Sequence, residues 1–246
     1  MNFIRLSLLA FLFPMAIALF TPTVRAQEDD IYLKVASPEP PPKEVRRYKK
    51  HPLKYSDGSV HSESDIIKMS NDELINDGNY TEYYRNGNKF SEGTFSMGIH
   101  SGKWTFWHEN GELCKKVAFK KGQPNGSWDV FGEEGNLTAR KSYKNGLRDG
   151  KWAYYFPGGK QLRLEFEVKE GQPSGRRVSY YKNGQMRQES IYVDGELNGT
   201  TTEWDESGRK LVEIQFKDGK RDGTMTYWNE SGEPTTRQYA AGKLTQ

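Results

Sequence analysis

The sequence predicts an all-β protein: an elongated antiparallel meander of about seven tandem β-hairpins, after a signal peptide and a disordered linker. Three observations carry this. Glycines recur with a fixed period over residues 77–246, and the segments between them are rich in aromatic and β-branched residues. The apolar surface comes from 14 Tyr, 12 Phe and 6 Trp in a chain that is only 34% hydrophobic, which suits exposed sheets with rows of rings better than a thick aliphatic core.

In chain order, the first element is residues 1–26. Arg5 opens a short basic start, an apolar run spans Leu6 to Phe20, and Val24, Arg25 and Ala26 form a small-residue cleavage site before Gln27. The run is broken by Pro14 and is short of the roughly 20 residues that span a bilayer, so a cleaved signal and an exported mature chain are expected. Residues 27–76 follow as a Pro-rich polar linker. Ser37-Pro-Glu-Pro-Pro-Pro42 favours an extended polyproline conformation, and no hydrophobic period is sustained. Asp65 to Ile75 reads either as a short helix or as a degenerate leading repeat. Membrane contact is confined to the signal segment or to the basic cluster Arg46, Arg47, Lys49 and Lys50 in the linker.

The repeats are fixed by three glycine sets. Gly78, Gly102, Gly126, Gly150, Gly175, Gly199 and Gly223 are 24 or 25 residues apart, and a second glycine follows each by nine. A third set, from Gly98 to Gly219, precedes the next first glycine by four. One-residue indels fall only between second and third glycines, in the fourth and seventh units. The nine-residue segment ends in Asn86-Gly87, Asn110-Gly111 or Asn183-Gly184, dipeptides that suit a two-residue hairpin turn. The Gly-x-x-x-Gly connector is too short for a parallel crossover, so the chain must reverse, giving about fourteen strands in one meander.

Two ladders of rings follow. Five residues after each first glycine stand Tyr83, Trp107, Phe131, Tyr155, Tyr180, Trp204 and Trp228, a set present in every unit and therefore read as structural. Two residues after the first glycine stand Tyr80, Trp104, Trp128 and Trp152, then Arg177, Thr201 and Met225. Because the last three units do without Trp there, Trp104, Trp128 and Trp152, with Phe106 and Tyr154, are the candidate partner-binding face, either anchoring apolar side chains or stacking on sugar rings. The alternative is that these tryptophans buttress the sheet against Phe95, Phe119 and Tyr143.

The pattern Gly102-Lys-Trp104-Thr-Phe-Trp107-His-Glu-Asn-Gly111, repeated over residues 77–246, resembles the MORN-repeat variant of the bacterial YwqK-family antitoxins. The resemblance implies a non-catalytic protein that neutralises a toxin by binding it. An export signal departs from a cytoplasmic antitoxin, so either the partner acts outside the cytoplasm or the antitoxin role does not carry over.

Other chemistry finds little support. The formal charge is only +3, so nucleic acid is not expected as a partner. Cys114 is the single cysteine, which excludes an intramolecular disulfide, and its pairing with His108 as nucleophile and base lacks a third orienting group. His51, His61, His100 and His108 are too scattered for metal-ligand spacing, and the Asp-Gly pairs at Asp149, Asp194, Asp218 and Asp222 fall on turns without calcium-loop spacing. The expected function is a non-enzymatic protein-binding scaffold without cofactor, with binding to a cell-envelope glycan or wall polymer as the alternative.

Overall fold

Residues 41–246 are described by a computed structural model. They form one all-β antiparallel sheet of twenty strands in which successive full-length strands pair and the two pieces of each split strand pair with the same preceding neighbour. The expected signal peptide and the first part of the expected linker lie outside the described residues.

The sheet starts earlier than expected. β1 (Glu44–Lys54), β2 (Val60–Met69) and β3 (Leu74–Tyr83) are paired in succession, so residues 44–76, assigned to the linker, belong to the sheet, and Asp65–Ile75 is part of a degenerate leading hairpin rather than a helix. The loop after β1 has the form of the repeat loops: Tyr55 N–H donates to Ser59 O at 2.8 Å and Gly58 N–H to Tyr55 O at 3.0 Å, matching Tyr84 to Asn88 at 2.8 Å and Gly87 to Tyr84 at 3.0 Å. Twenty strands exceed the expected fourteen because β1 and β2 precede the repeats, Lys243–Leu244 follows them, and three strands are split into a two-residue arm and a longer piece, as at Gln123–Pro124 and Gly126–Phe131.

The splits mark a bulge at each first glycine. Glu92 pairs with Thr105 but Thr94 with Ser101, so two extra residues are accommodated around Gly102; the same slip separates Phe166↔Arg177 from Glu167↔Ser174 and Ile214↔Met225 from Phe216↔Arg221. A second, one-residue bulge closes the hairpins: Phe106 pairs with Lys115 and Trp107 with Leu113, leaving Cys114 unpaired. The two indels map onto this plan. The extra residue of the fourth unit lengthens its loop, which closes from Phe156 N–H to Gln161 O, whereas the residue missing from the seventh is the bulge itself, since Met225↔Arg237 runs to Trp228↔Pro234 without a slip.

The turn chemistry is exchanged relative to expectation. Two-residue turns with two left-handed residues occur at the connectors, as at Met97 (φ 48°) and Gly98 (φ 75°) between paired Ser96 and Ile99. The Asn-Gly loops are longer, with only the glycine left-handed. Their asparagines act through side chains: Asn86 Oδ1 accepts from Asn88 N–H at 2.9 Å while its Nδ2 donates to Glu109 O of the next loop at 2.9 Å. Asn110 and Asn183 reach Glu133 O and Glu206 O in the same way, at 2.9 and 2.7 Å. Along the opposite rim each connector glycine donates to the connector before it, for example Gly122 N–H to His100 O at 3.1 Å and Gly146 N–H to Pro124 O at 2.8 Å. Both rims are thereby tied from hairpin to hairpin.

Candidate binding face

Period-two alternation after each bulge sends Trp104 and Phe106 to one side of the sheet and Thr105 and Trp107 to the other. The five residues expected to bind a partner do share a face, but they form a packed spine. Phe95 lies 5.0 Å from Trp104, Phe119 5.6 Å from Trp128 and Tyr143 5.4 Å from Trp152, between ring centroids, with His100 inserted at 4.4 Å from Trp104 and 5.1 Å from Phe119. Phe106 stacks on Trp104 at 6.0 Å under the Lys115 ammonium, and Tyr154 stacks on Phe166 at 6.3 Å.

Each indole is also pinned by its polar atom. The Nε1 groups of Trp104, Trp128 and Trp152 donate at 3.1 Å to the carbonyls of Thr94, Ala118 and Ser142 on the preceding strand. Trp104 is 2% and Trp152 3% exposed, while Trp128, Phe106 and Tyr154 are half-buried. The tryptophans expected to anchor a partner at units two and four are therefore core, because neighbouring rings and the backbone carbonyls already consume their surface. His100, half-buried among these rings, is held below its ordinary pKa by desolvation.

The spine changes character after the fourth unit. Arg177 donates to Gln188 at 3.1 Å, Thr201 to Ser190 at 3.1 Å, and Met225 fills the last position, so polar pairs replace the rings.

The opposite face carries what the sequence reading assigned to structure. All seven rings from Tyr83 to Trp228 lie there, half-buried, one per hairpin. Beside them runs an unbroken row of directly paired residues across the strands: Glu63, Thr81, Glu92 and Thr105, then Lys116, Asp129, Arg140, Ala153 and Glu165, then Val178, Glu189, Thr202, Glu213 and Thr226. The row was hidden because it exists only once the bulges set the register.

Most of its charges are matched, Lys116 being the exception among the described residues. Arg140 grips Asp129 with Nε at 2.8 Å and Nη2 at 3.2 Å, Arg176 pairs with Glu189, Lys210 with Glu213 at 2.6 Å and Lys89 with Glu92. Burial, with the 2.6 Å hydrogen bond to Glu165, pushes the Tyr180 hydroxyl up to about 12. Lys89 and Lys210 also stand 5.5 Å from the ring centroids of Trp107 and Trp228. The arrangement sets half-buried rings beside hydroxyls and paired charges.

The MORN repeat variant family model matches residues 76–96, 101–121 and 173–194. These are the first, second and fifth units, and the intervening units share their bulges and turns. MORN repeats are generally non-catalytic binding elements, in keeping with a repeat scaffold. No curated protein matches the chain.

The remaining candidates have structural employment. His108 Nε2 lies 3.1 Å from Phe131 O in the loop rim. Asp149 and Asp222 accept backbone N–H bonds from Glu170 and Ala241 in the following connectors, at 3.3 and 3.0 Å.

Proposed function

We propose that this chain is an exported, non-catalytic scaffold that binds a protein partner on the ring-bearing face, in the manner of an immunity protein that neutralises a toxin. The observation that supports it is the pairing of a seven-ring ladder with a continuous polar row on the face opposite the packed spine. Half-buried aromatic residues on a rigid sheet lose little conformational entropy on binding and supply large contact area, which is why such rings dominate interfaces. Export and the toxin as partner rest on the sequence reading and the family resemblance.

A second reading, binding of a wall polymer, is favoured by the ladder's pitch. One ring per hairpin repeats every two strand spacings, about 10 Å, comparable to the length of a β-1,4-linked disaccharide, and Thr and Glu beside the rings could hydrogen-bond sugar hydroxyls.

Co-purification from native envelope extract separates the two. A stoichiometric protein partner lost in the Trp204→Ala/Trp228→Ala variant, with the fold intact by circular dichroism, supports the scaffold. Retention on insoluble wall material without such a protein supports the polymer, and full binding by the variant removes the ring face from either.

A further inference from the structure

The connector rim carries a second surface with its own chemistry. Met97, Ile99 and Leu147 are 52%, 49% and 54% exposed at the connectors of the first and third units. Between and beside them stand Lys103, Lys120, Lys121 and Lys144, all exposed and, among the described residues, without an ion-pair partner. The connectors are bonded to one another through Gly122 and Gly146, so these groups sit on one continuous ridge.

We propose that this ridge docks an acidic amphipathic segment of a protein partner, its carboxylates meeting the four lysines and its apolar side chains covering Met97, Ile99 and Leu147. Charge complementarity selects the occupant, and the limits of the positive stretch set its size. Glu73 bounds it on one side and Glu170, Asp194 and Glu196 on the other, all within the same rim; Asp77 is already held by Arg47 at 2.7 Å, and the half-buried Asp149 accepts the Glu170 N–H. A planar anionic membrane would have to lie against those carboxylates as well, whereas a short segment meets only the lysines. Three connectors two strand spacings apart cover about 20 Å, the length of roughly four helical turns. The proposal rests on the protein-scaffold reading but uses a different surface from the rings.

The test uses the mature full-length protein and a synthetic 16-residue peptide with Glu and Leu at helical spacing, followed by fluorescence anisotropy. Binding should weaken at least tenfold in Lys120→Glu/Lys121→Glu/Lys144→Glu and several-fold in Met97→Ser/Ile99→Ser/Leu147→Ser. It should be unchanged in Lys182→Glu on the opposite rim. All substituted side chains are exposed, and circular dichroism checks that each variant folds. Equal binding by the charge-reversed variant, no binding by the wild type, or lysine-dependent binding to phosphatidylglycerol vesicles in place of the peptide would overturn the proposal. A native protein partner that still co-purifies with the charge-reversed variant removes the ridge and leaves the scaffold standing; absence of any protein partner with the wild type removes the scaffold itself.

Discussion

Gly93 and Trp104 form a close joint between two aromatic-rich strands. A Cβ at Gly93 would fall 2.2 Å from Trp104 Cδ2, so the indole lies directly on the glycine of the preceding strand. Gly93→Ala should therefore destabilise by displacing a ring that is 2% exposed, and Trp104→Ala by about 3–5 kcal/mol through the cavity it leaves. Combined, the two should cost much less than their sum, because the clash requires both; additive losses in denaturant unfolding would show that the contact is not the cause. His100 acts in the same cluster through its charge. Burial lowers its folded pKa, so its contribution is complete above the ordinary 6.5 and is lost as pH falls through the folded value. The melting temperature should drop between pH 7 and pH 5 in the wild type and drop less in His100→Phe; equal drops would place the acid sensitivity elsewhere.

At the scale of elements, the hairpins were legible in the sequence and the leading strands were not, for a physical reason. Glycine spacing reports turns, and seven units repeat them at 24 or 25 residues, but Gly58 precedes Gly87 by 29. β1 and β2 also lack the ring ladder; β2 buries Ile66, Ile67 and Met69 instead, and a buried carboxylate joins the strands. Asp65, 2% exposed, accepts from Lys49 Nζ at 3.0 Å, Lys50 N–H at 3.1 Å and Asn79 N–H at 3.1 Å, tying β1, β2 and β3 at one point. Burial pushes this carboxyl up, but the three hydrogen bonds outweigh it and hold it below its ordinary 3.8. Its stabilisation is therefore present above pH 3.8 and lost as pH falls through the folded pKa. Asp65→Asn turns an amide toward those donors and should cost about 1–3 kcal/mol, with earlier hydrogen exchange in β1 than in the repeats. Unchanged protection of β1 would show that strand pairing alone secures it. The ladders were legible as two sets on opposite faces, since two and five differ by an odd number. Which face closes was not, because that follows from the bulges and from indole bonds to carbonyls ten residues back.

Across the whole sheet, stability should behave as a sum of neighbouring units, because each strand pairs with its chain neighbours and both rims are bonded one hairpin at a time. The two ends differ in how they protect an open edge. β1 is studded with Arg and Lys and contains Pro52, whereas the last long strand, Pro234–Ala240, is covered by the short strand Lys243–Leu244 that follows it: Tyr239 pairs with Leu244, Gln238 N–H donates to Gln246 O at 2.9 Å and Thr245 N–H to Gln238 O at 2.8 Å. Two truncations separate stability from edge protection. Deleting residues 241–246 removes the cover and two connector bonds, Gly242 N–H to Arg221 O and Ala241 N–H to Asp222, but no hairpin, so it should barely shift the unfolding midpoint while promoting self-association, read by light scattering. Deleting from Asp222 onward removes Met225, which faces Ile214 and is 4% exposed, so one interface is lost and the midpoint should fall modestly while the remaining hairpins stay folded. A chain that unfolds completely on that deletion would mean the units share a core and do not stabilise one another in series.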